Sequence, residues 1–243
     1  MKQELNDAVL GVENLEIIYG KGKLANVVLK DFYFELKRGE IVALLGESGS
    51  GKSTCGKALL GILPASAKIV KGFFSFKDDH PLPLALMENR WKQLRGKSIA
   101  LIHQDAKLAL NPLKTIKEHF RETLVSHGML SQANIHKQGL EILSKLNFSS
   151  PDSIYKAYPF ELSGGMCQRI YIALCLCLQP EVLIADEPTS ALDVVSQKDV
   201  LDMLKNIREK FNVAILLITH DVGVAYAVSD RVIVLNKGKI VEE

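Results

Sequence analysis

Cysteine, aromatic residues and long apolar runs are all scarce in this sequence. Its 243 residues include four cysteines and one tryptophan, and aromatic residues make up 7%. No two cysteines have the C-x-x-C spacing of zinc or redox sites, so we expect reduced and mostly buried thiols. No apolar run approaches the roughly 18 residues that a membrane-spanning helix requires. A disulfide scaffold, a zinc module and a membrane-spanning helix are therefore excluded as the basis of the fold.

Net charge is also small, at +2, and no run of five basic residues occurs. Bulk electrostatics therefore gives no reason to expect binding to nucleic acid or to a membrane surface. The first residues, Met1–Glu4, lead into no apolar signal sequence. We expect a cytosolic protein whose association with a membrane, if any, comes through a partner.

Four short apolar runs separated by helical patterns predict an α/β core with a parallel sheet. The runs are Ile41–Leu45, Val182–Ala185, Ala214–Ile218 and Arg231–Leu235. The helical patterns cover Lys52–Leu63, Met166–Leu178 and Ser196–Phe211.

The segments before and between these runs have different patterns. Alternation of apolar and polar residues predicts antiparallel strands at Val9–Tyr19, Val27–Leu36 and Ile69–Phe76. Residues from about 87 to 166 are polar and rich in helical patterns, and we interpret them as a helical insertion. The expected organisation is one domain over residues 1–243, in which residues 1–86 and 167–243 form the core and the antiparallel β-subdomain.

A glycine-rich loop between the first core strand and a helical pattern matches G-x-x-x-x-G-K-[ST], the phosphate loop of ATPases. Glycines let consecutive N–H groups wrap phosphate oxygens, the lysine reaches the β- and γ-phosphates, and the serine hydroxyl ligates Mg²⁺. The strand before it and the helix after it are the context that the motif requires. The predicted nucleotide-binding residues here are Gly46, Glu47, Ser48, Gly49, Ser50, Gly51, Lys52, Ser53 and Thr54.

A second apolar run ends in two carboxylates, Asp186 and Glu187. An ATPase with a phosphate loop needs an acid at the end of a neighbouring strand to hold Mg²⁺, and Asp186 is suited to that role. Glu187 then has the position of the group that orients and polarises the attacking water. The alternative is a strand followed by an ordinary charged turn.

A Ser-Gly-Gly sequence, Ser163–Gly165, precedes the helical pattern that begins at Met166. It would present backbone N–H groups at a helix N-terminus and so form a second anion site. Taken alone, Ser-Gly-Gly is more often a loop than a binding site.

These motifs together resemble the ATP-binding subunit of ATP-binding-cassette (ABC) transporters, and the resemblance covers the whole chain. It rests on the phosphate loop, Gln104, Leu162–Met166, Leu183–Glu187, Ser190–Asp193 and His220, which occur in the family's order and spacing. The fold implied is a P-loop NTPase with a RecA-like parallel-sheet core, an N-terminal antiparallel β-subdomain and an inserted α-helical subdomain. ATP and Mg²⁺ are the implied cofactors.

The resemblance also implies roles for individual residues. Tyr19 would stack on adenine, although a tyrosine at a strand end is the simpler alternative. Gln104 would contact Mg²⁺ and the attacking water, and His220 would contact the γ-phosphate. Asp193 would lie in the loop that crosses to a second subunit. In this family two subunits pack head to tail, so that Ser163–Gly165 would act on the ATP of the partner.

A finer resemblance is to the ATPases of peptide and nickel importers, which import di- and oligopeptides, nickel or metal chelates. It rests on Asp105–Ile116, Tyr158-Pro159, Ser163–Arg169 and Leu183–Val194. It implies two transmembrane permease subunits, a second and non-identical ATPase, an extracytoplasmic solute-binding protein, and a place on the cytoplasmic face of the membrane. Members usually continue with a segment containing His-Pro-Tyr, whereas this sequence ends at Glu243.

Two other functions remain as alternatives. The first is a soluble cassette ATPase acting on ribosomes or DNA, which would generally carry two cassettes, a coiled coil or a zinc insertion. The second is a kinase of small metabolites, which would not explain Leu162–Met166 or His220. The transported solute is not encoded in the motifs, because binding proteins and membrane subunits select it.

Overall fold

A computed structural model describes residues 8–22, 25–77, 79–128 and 131–243 of the chain. The expectation about Met1–Glu4 lies outside these residues. Within them, two β-sheets and a group of helices pack around two apolar cores.

The larger sheet has six strands in the order β10-β9-β3-β8-β7-β6. All neighbouring pairs are parallel except β10, which runs antiparallel to β9. The four predicted core strands are confirmed, because runs that are apolar at consecutive positions can be buried on both faces. The strands are β3 (Ile41–Leu45), β6 (Ile99–Ile102), β7 (Val182–Asp186), β8 (Ala214–Thr219), β9 (Arg231–Asn236) and β10 (Lys239–Glu242).

The smaller sheet is antiparallel and has the strand order β2-β1-β4-β5. The alternation of apolar and polar residues that predicted three of its strands matches a sheet with one solvated face. Its strands are β1 (Ala8–Tyr19), β2 (Asn26–Lys37), β4 (Ala67–Phe76) and β5 (Leu82–Pro83).

Helices lie on both faces of the larger sheet and in the segment predicted as the insertion. They are α1 (Lys52–Ala58), α2 (Glu88–Leu94), α3 (Ala106–Ala109), α4 (Ile116–Ser126), α5 (Gln132–Lys145), α6 (Pro151–Lys156), α7 (Gly164–Leu176), α8 (Val194–Phe211) and α9 (Val222–Val228). Several of these helices begin with a side-chain cap. Thr115 and Glu118 form a capping box at α4, and the side chains of Ser131, Ser163 and Asp193 cap α5, α7 and α8.

The larger sheet separates the two cores because its side chains alternate between its faces. On β8, Ile215 and Leu217 pack with the helical segment, whereas Leu216 and Ile218 pack with the antiparallel sheet and α1. Three cysteines are buried and Cys175 is partly buried, and all four are free thiols. Among the described residues, no helix combines the length and the apolar character needed to cross a membrane.

Two predictions need correction. Residues 87–166 are not helical throughout, because Ile99–Ile102 forms β6 and pairs in parallel with β7. Four apolar residues are too few to show whether they form a strand or a helical turn, so the predicted helical insertion included them. The first helix ends at Ala58 and not at Leu63, since the chain turns at Gly61, which has a φ of +62°.

Candidate functional site

The phosphate loop connects β3 to α1 at the carboxyl edge of the larger sheet, and glycine is required at two of its positions. A Cβ atom at Gly46 would collide with the carbonyl oxygen of Leu235 on β9. Gly51 has a φ of +109°, and a Cβ there would lie 2.8 Å from the carbonyl oxygen of Val28. The loop is therefore closely packed against strands of both sheets, which fixes the start of α1.

Lys52 is buried at the first position of α1, with 4% of its surface exposed. Its Nζ donates hydrogen bonds to the carbonyl oxygens of Gly46 (2.7 Å) and Glu47 (2.8 Å), so the side chain spans the loop. Burial lowers the pKa of Lys52, while the nearby carboxylates of Glu187 and Asp186 oppose that shift. A cation held in this way is placed to bind phosphate oxygens.

Ser53 and Asp186 meet beside the loop. The Ser53 hydroxyl donates to Oδ1 of Asp186 at 2.9 Å, because β7 lies two strands from β3 and ends at the same edge. Burial raises the pKa of Asp186, and the hydrogen bond from Ser53 opposes the shift. A hydroxyl and one carboxylate are hard oxygen donors of the kind that Mg²⁺ takes when phosphates and waters complete its shell. Consistently, the described residues contain no cluster of three or more His, Cys, Asp or Glu suited to a metal.

We expect Ser53→Ala to weaken Mg²⁺-dependent nucleotide binding by about tenfold, the scale of one lost charged hydrogen bond. Binding of ATP in the presence of EDTA should change much less. Titration calorimetry with and without Mg²⁺ measures both values. Ser66→Ala, in the turn before β4, is the matched control and should change neither. Equal losses with and without Mg²⁺ would contradict a role for the Ser53 hydroxyl toward the metal.

Glu187 follows Asp186 directly and has a φ of +49°, which is unusual for a residue other than glycine. Its N–H donates to the carbonyl oxygen of Ile218 (2.9 Å), which holds this backbone in place. Its Oε1 lies 3.0 Å from Nδ1 of His220, the residue after β8. Strained backbone conformations concentrate at functional sites, so the geometry favours a chemical role for the Glu187–His220 pair.

Glu187 borders two neighbouring cavities. One has a volume of about 310 Å³ and is lined by phosphate-loop residues together with Tyr19, Asn26 and Val28. The other, of about 160 Å³, is lined by His220 and by residues of the turn between β7 and α8. The Glu187 side chain therefore lies between the cavity at the phosphate loop and the cavity at His220.

Tyr19 lies at the end of β1, and its hydroxyl is 3.5 Å from the hydroxyl of Thr54, the limit of a hydrogen bond. The ring therefore lies at the wall of the larger cavity, and its stacking on adenine stays a prediction. Asn26 lines the same cavity because it is the cross-strand partner of Tyr19 on β2. No motif in the sequence identified Asn26; its position depends on the pairing of β1 with β2.

Gln104 is exposed and lies two residues after β6, next to the strand that carries Asp186. The backbone on both sides of it is held by Gln168, which is 2% exposed on α7. The side chain of Gln168 accepts a hydrogen bond from Ala106 N–H (3.2 Å) and donates one to the carbonyl oxygen of His103 (3.2 Å). Gln168 lies within the Ser163–Arg169 motif, but the motif did not predict this role; the available signal was a polar residue on the buried face of an apolar helix.

Ser163–Gly165 begin α7, and none of them lines the cavity at the phosphate loop. Ser163 accepts a hydrogen bond from Met166 N–H (3.2 Å), and a Cβ at Gly165 would lie 2.5 Å from Oγ of Ser196 on α8. Asp193 is also absent from that cavity. It caps α8, and hydrogen bonds from Ser196 lower the pKa of its carboxyl group. The structure thus separates these four residues from the phosphate loop of their own chain, and their contact with a second subunit stays a prediction.

Comparisons with known proteins identify the family of this chain. Residues 29–190 match the family described as ABC transporter. The oligopeptide transport ATP-binding protein AppD of Bacillus subtilis is 40% identical over 235 residues, which are 96% of this chain and 71% of AppD. The metal-staphylopine import ATP-binding protein CntD of Staphylococcus aureus is 39% identical over 216 residues, 89% of this chain and 79% of CntD.

A solved structure supports the same assignment. The dimeric, post-hydrolysis ATP-binding cassette MJ0796 bound to ADP and Pi has a TM-score of 0.79 and 28% identity, covering 96% of this chain and 97% of that one. The sequence match, the shared fold and the phosphate-loop site lead to one conclusion: this chain belongs to the ABC transporter family, as a cassette that binds and hydrolyses ATP.

Proposed function

We propose that this chain is the ATPase subunit of an importer for di- and oligopeptides. The proposal rests on the 40% identity between this chain and AppD, which covers 96% of this chain. Import of a metal chelate is the second candidate, because CntD is almost as similar. The site itself does not distinguish between these solutes, since the nucleotide is the only substrate that it contacts.

In the proposed mechanism the phosphate loop and Lys52 hold the β- and γ-phosphates of ATP, and Tyr19 stacks on adenine. Ser53, Asp186 and Gln104 would hold Mg²⁺, which would supply positive charge to neutralise the phosphates. Glu187 then accepts a proton from the attacking water, and His220 orients Glu187 and contacts the γ-phosphate.

One chain supplies only part of each working ATP site. Ser163–Gly165 and Asp193 serve the ATP of a second ATPase subunit, and the corresponding residues of that subunit complete the site described here. The two subunits are homologous and not identical. Closure of the pair around ATP and its reopening after hydrolysis drive the membrane subunits.

The surface that meets a membrane subunit is the docking segment, which we define as residues 105–116. It follows Gln104 directly, so it adjoins the Mg²⁺ side of the site. Leu108 and Leu113 in this segment are 86% and 83% exposed. Apolar side chains that project this far favour contact with an apolar partner surface, here a cytoplasmic helix of a permease subunit.

Co-purification tests the assembly. Tagged protein extracted from host membranes in mild detergent should carry two permease subunits and a second ATPase, identified by mass spectrometry. In the assembled complex, a peptide-loaded binding protein should raise ATP turnover more than one loaded with a metal chelate. Recovery with ribosomes or DNA would reject the transport proposal. If only the chelate-loaded binding protein raises ATP turnover, the transported solute is a metal chelate.

A further inference from the structure

The docking segment contains the short helix α3 and is otherwise irregular, and its backbone is held near its start, in its middle and at its end. Gln168 accepts a hydrogen bond from Ala106 N–H near the start, and the capping box of Thr115 and Glu118 fixes the end. The middle point is Asn111, which is held by His119 of α4. Gln168 also holds the backbone beside Gln104, and the capping box also forms the start of α4. The hydrogen bond between His119 and Asn111 acts on the docking segment alone.

The contacts of His119 define its protonation state. Its Nε2 lies 2.9 Å from the backbone nitrogen of Asn111, and its Nδ1 lies 2.8 Å from the carbonyl oxygen of Thr115. The backbone N–H of Asn111 is a donor, so Nε2 must accept, and Nδ1 therefore carries the proton and donates to Thr115. A neutral imidazole with this tautomer makes both bonds. His119 is buried, with 8% of its surface exposed, so loss of either hydrogen bond would be costly.

Asn111 in turn constrains the backbone of Leu113. Oδ1 of Asn111 accepts a hydrogen bond from Leu113 N–H at 3.0 Å, and Pro112 between them restricts the backbone before it. His119 therefore fixes Asn111, and Asn111 fixes the direction in which the exposed Leu113 projects.

We propose that His119 is a positioning residue that holds the docking segment in the form that a permease helix binds. The part that concerns the permease rests on the proposed function. His119 touches neither the phosphate loop nor the Asp186–Glu187 pair, so its role is to present Leu113 and not to assist hydrolysis.

Amide exchange of the isolated chain tests the hydrogen bond directly. In His119→Leu, which has no acceptor, the Asn111 amide should exchange about tenfold faster by NMR, whereas His119→Gln can accept with Oε1 and should stay within about threefold of wild type. His127→Leu is the matched control, because His127 bonds the carbonyl of Thr123, four residues back, as His119 bonds Thr115. It should leave Asn111 unchanged. Wild-type exchange in His119→Leu, or equal acceleration in both His119 variants, would overturn the proposal.

Binding to the co-purified permease subunits tests the consequence. His119→Leu should bind them at least about tenfold more weakly, His119→Gln and His127→Leu should bind normally, and MgATP affinity of the isolated chain should be unchanged in all three. Faster Asn111 exchange with normal permease binding would overturn the docking role. If wild-type protein recovers no permease subunits, the proposed function fails, while the exchange measurement still decides whether His119 positions the segment.

Discussion

Glu187→Gln should bind ATP with wild-type affinity and turn it over about 10²–10⁴ times more slowly, the range attributed to a general base. Glutamine preserves the size of the side chain, and its amide can still bond His220, but it cannot accept the proton of the attacking water. The left-handed backbone at position 187 is equally open to both residues, so the fold should be unaffected. The assay is phosphate release by the assembled complex at saturating MgATP, with ATP affinity measured separately.

The control for this prediction is Glu209→Gln, which removes an exposed carboxylate near the end of α8. It should leave turnover unchanged. Because ATP binding persists without hydrolysis, Glu187→Gln should also trap a closed pair of ATPase subunits, visible as a stable dimer in size-exclusion chromatography with MgATP. Normal turnover in Glu187→Gln would reject this residue as the base.

Lys52→Ala should weaken ATP binding by about 10- to 100-fold or abolish hydrolysis. A hydrogen bond to a charged group contributes about 1.5–3 kcal/mol, and each 1.4 kcal/mol corresponds to a factor of ten in affinity. Lys52 is the cation whose Nζ spans the phosphate loop, so no neighbouring group can substitute for it at that position. Titration calorimetry gives the affinity, and phosphate release gives the rate.

Lys57→Ala is the matched control, since Lys57 lies on the same short helix but its side chain is exposed. It should bind and hydrolyse ATP as wild type does. Lys52 also bonds the carbonyls of Gly46 and Glu47, so the thermal unfolding of Lys52→Ala must be compared with wild type. If Lys52→Ala unfolds, binds ATP and hydrolyses it as the wild type does, the assignment of Lys52 to the site is wrong.

The sequence predicted those parts of the fold in which a local pattern decides the outcome. Largely apolar runs predicted β3, β7, β8 and β9, and alternating patterns predicted β1, β2 and β4, each within two residues at either end. The pattern failed for β6, because Ile99–Ile102 is apolar at every position and lies among helices. Its membership in the sheet depends on pairing with β7, a contact between residues more than 80 positions apart.

The same distinction applies to the site. The phosphate loop, Asp186 and Glu187 were predicted because their chemistry depends on residues that are adjacent in the chain. Asn26, His119 and Gln168 were not, since each acts through a partner on another element or on the backbone of a loop. Residue type alone does not identify such roles, because an asparagine, histidine or glutamine elsewhere in the chain would look the same.

The buried amide of Gln168 has a consequence for timing between two ATP sites. It joins the backbone around Gln104 to α7, the helix that starts at Ser163. In the head-to-tail pair proposed above, the Gln104 end would face the subunit's own nucleotide and the Ser163 end would face that of its neighbour. A displacement of the backbone around Gln104 would therefore be transmitted to the start of α7 through Gln168. In that pair, Gln168 would couple the two ATP sites through the protein itself, without a route through the membrane.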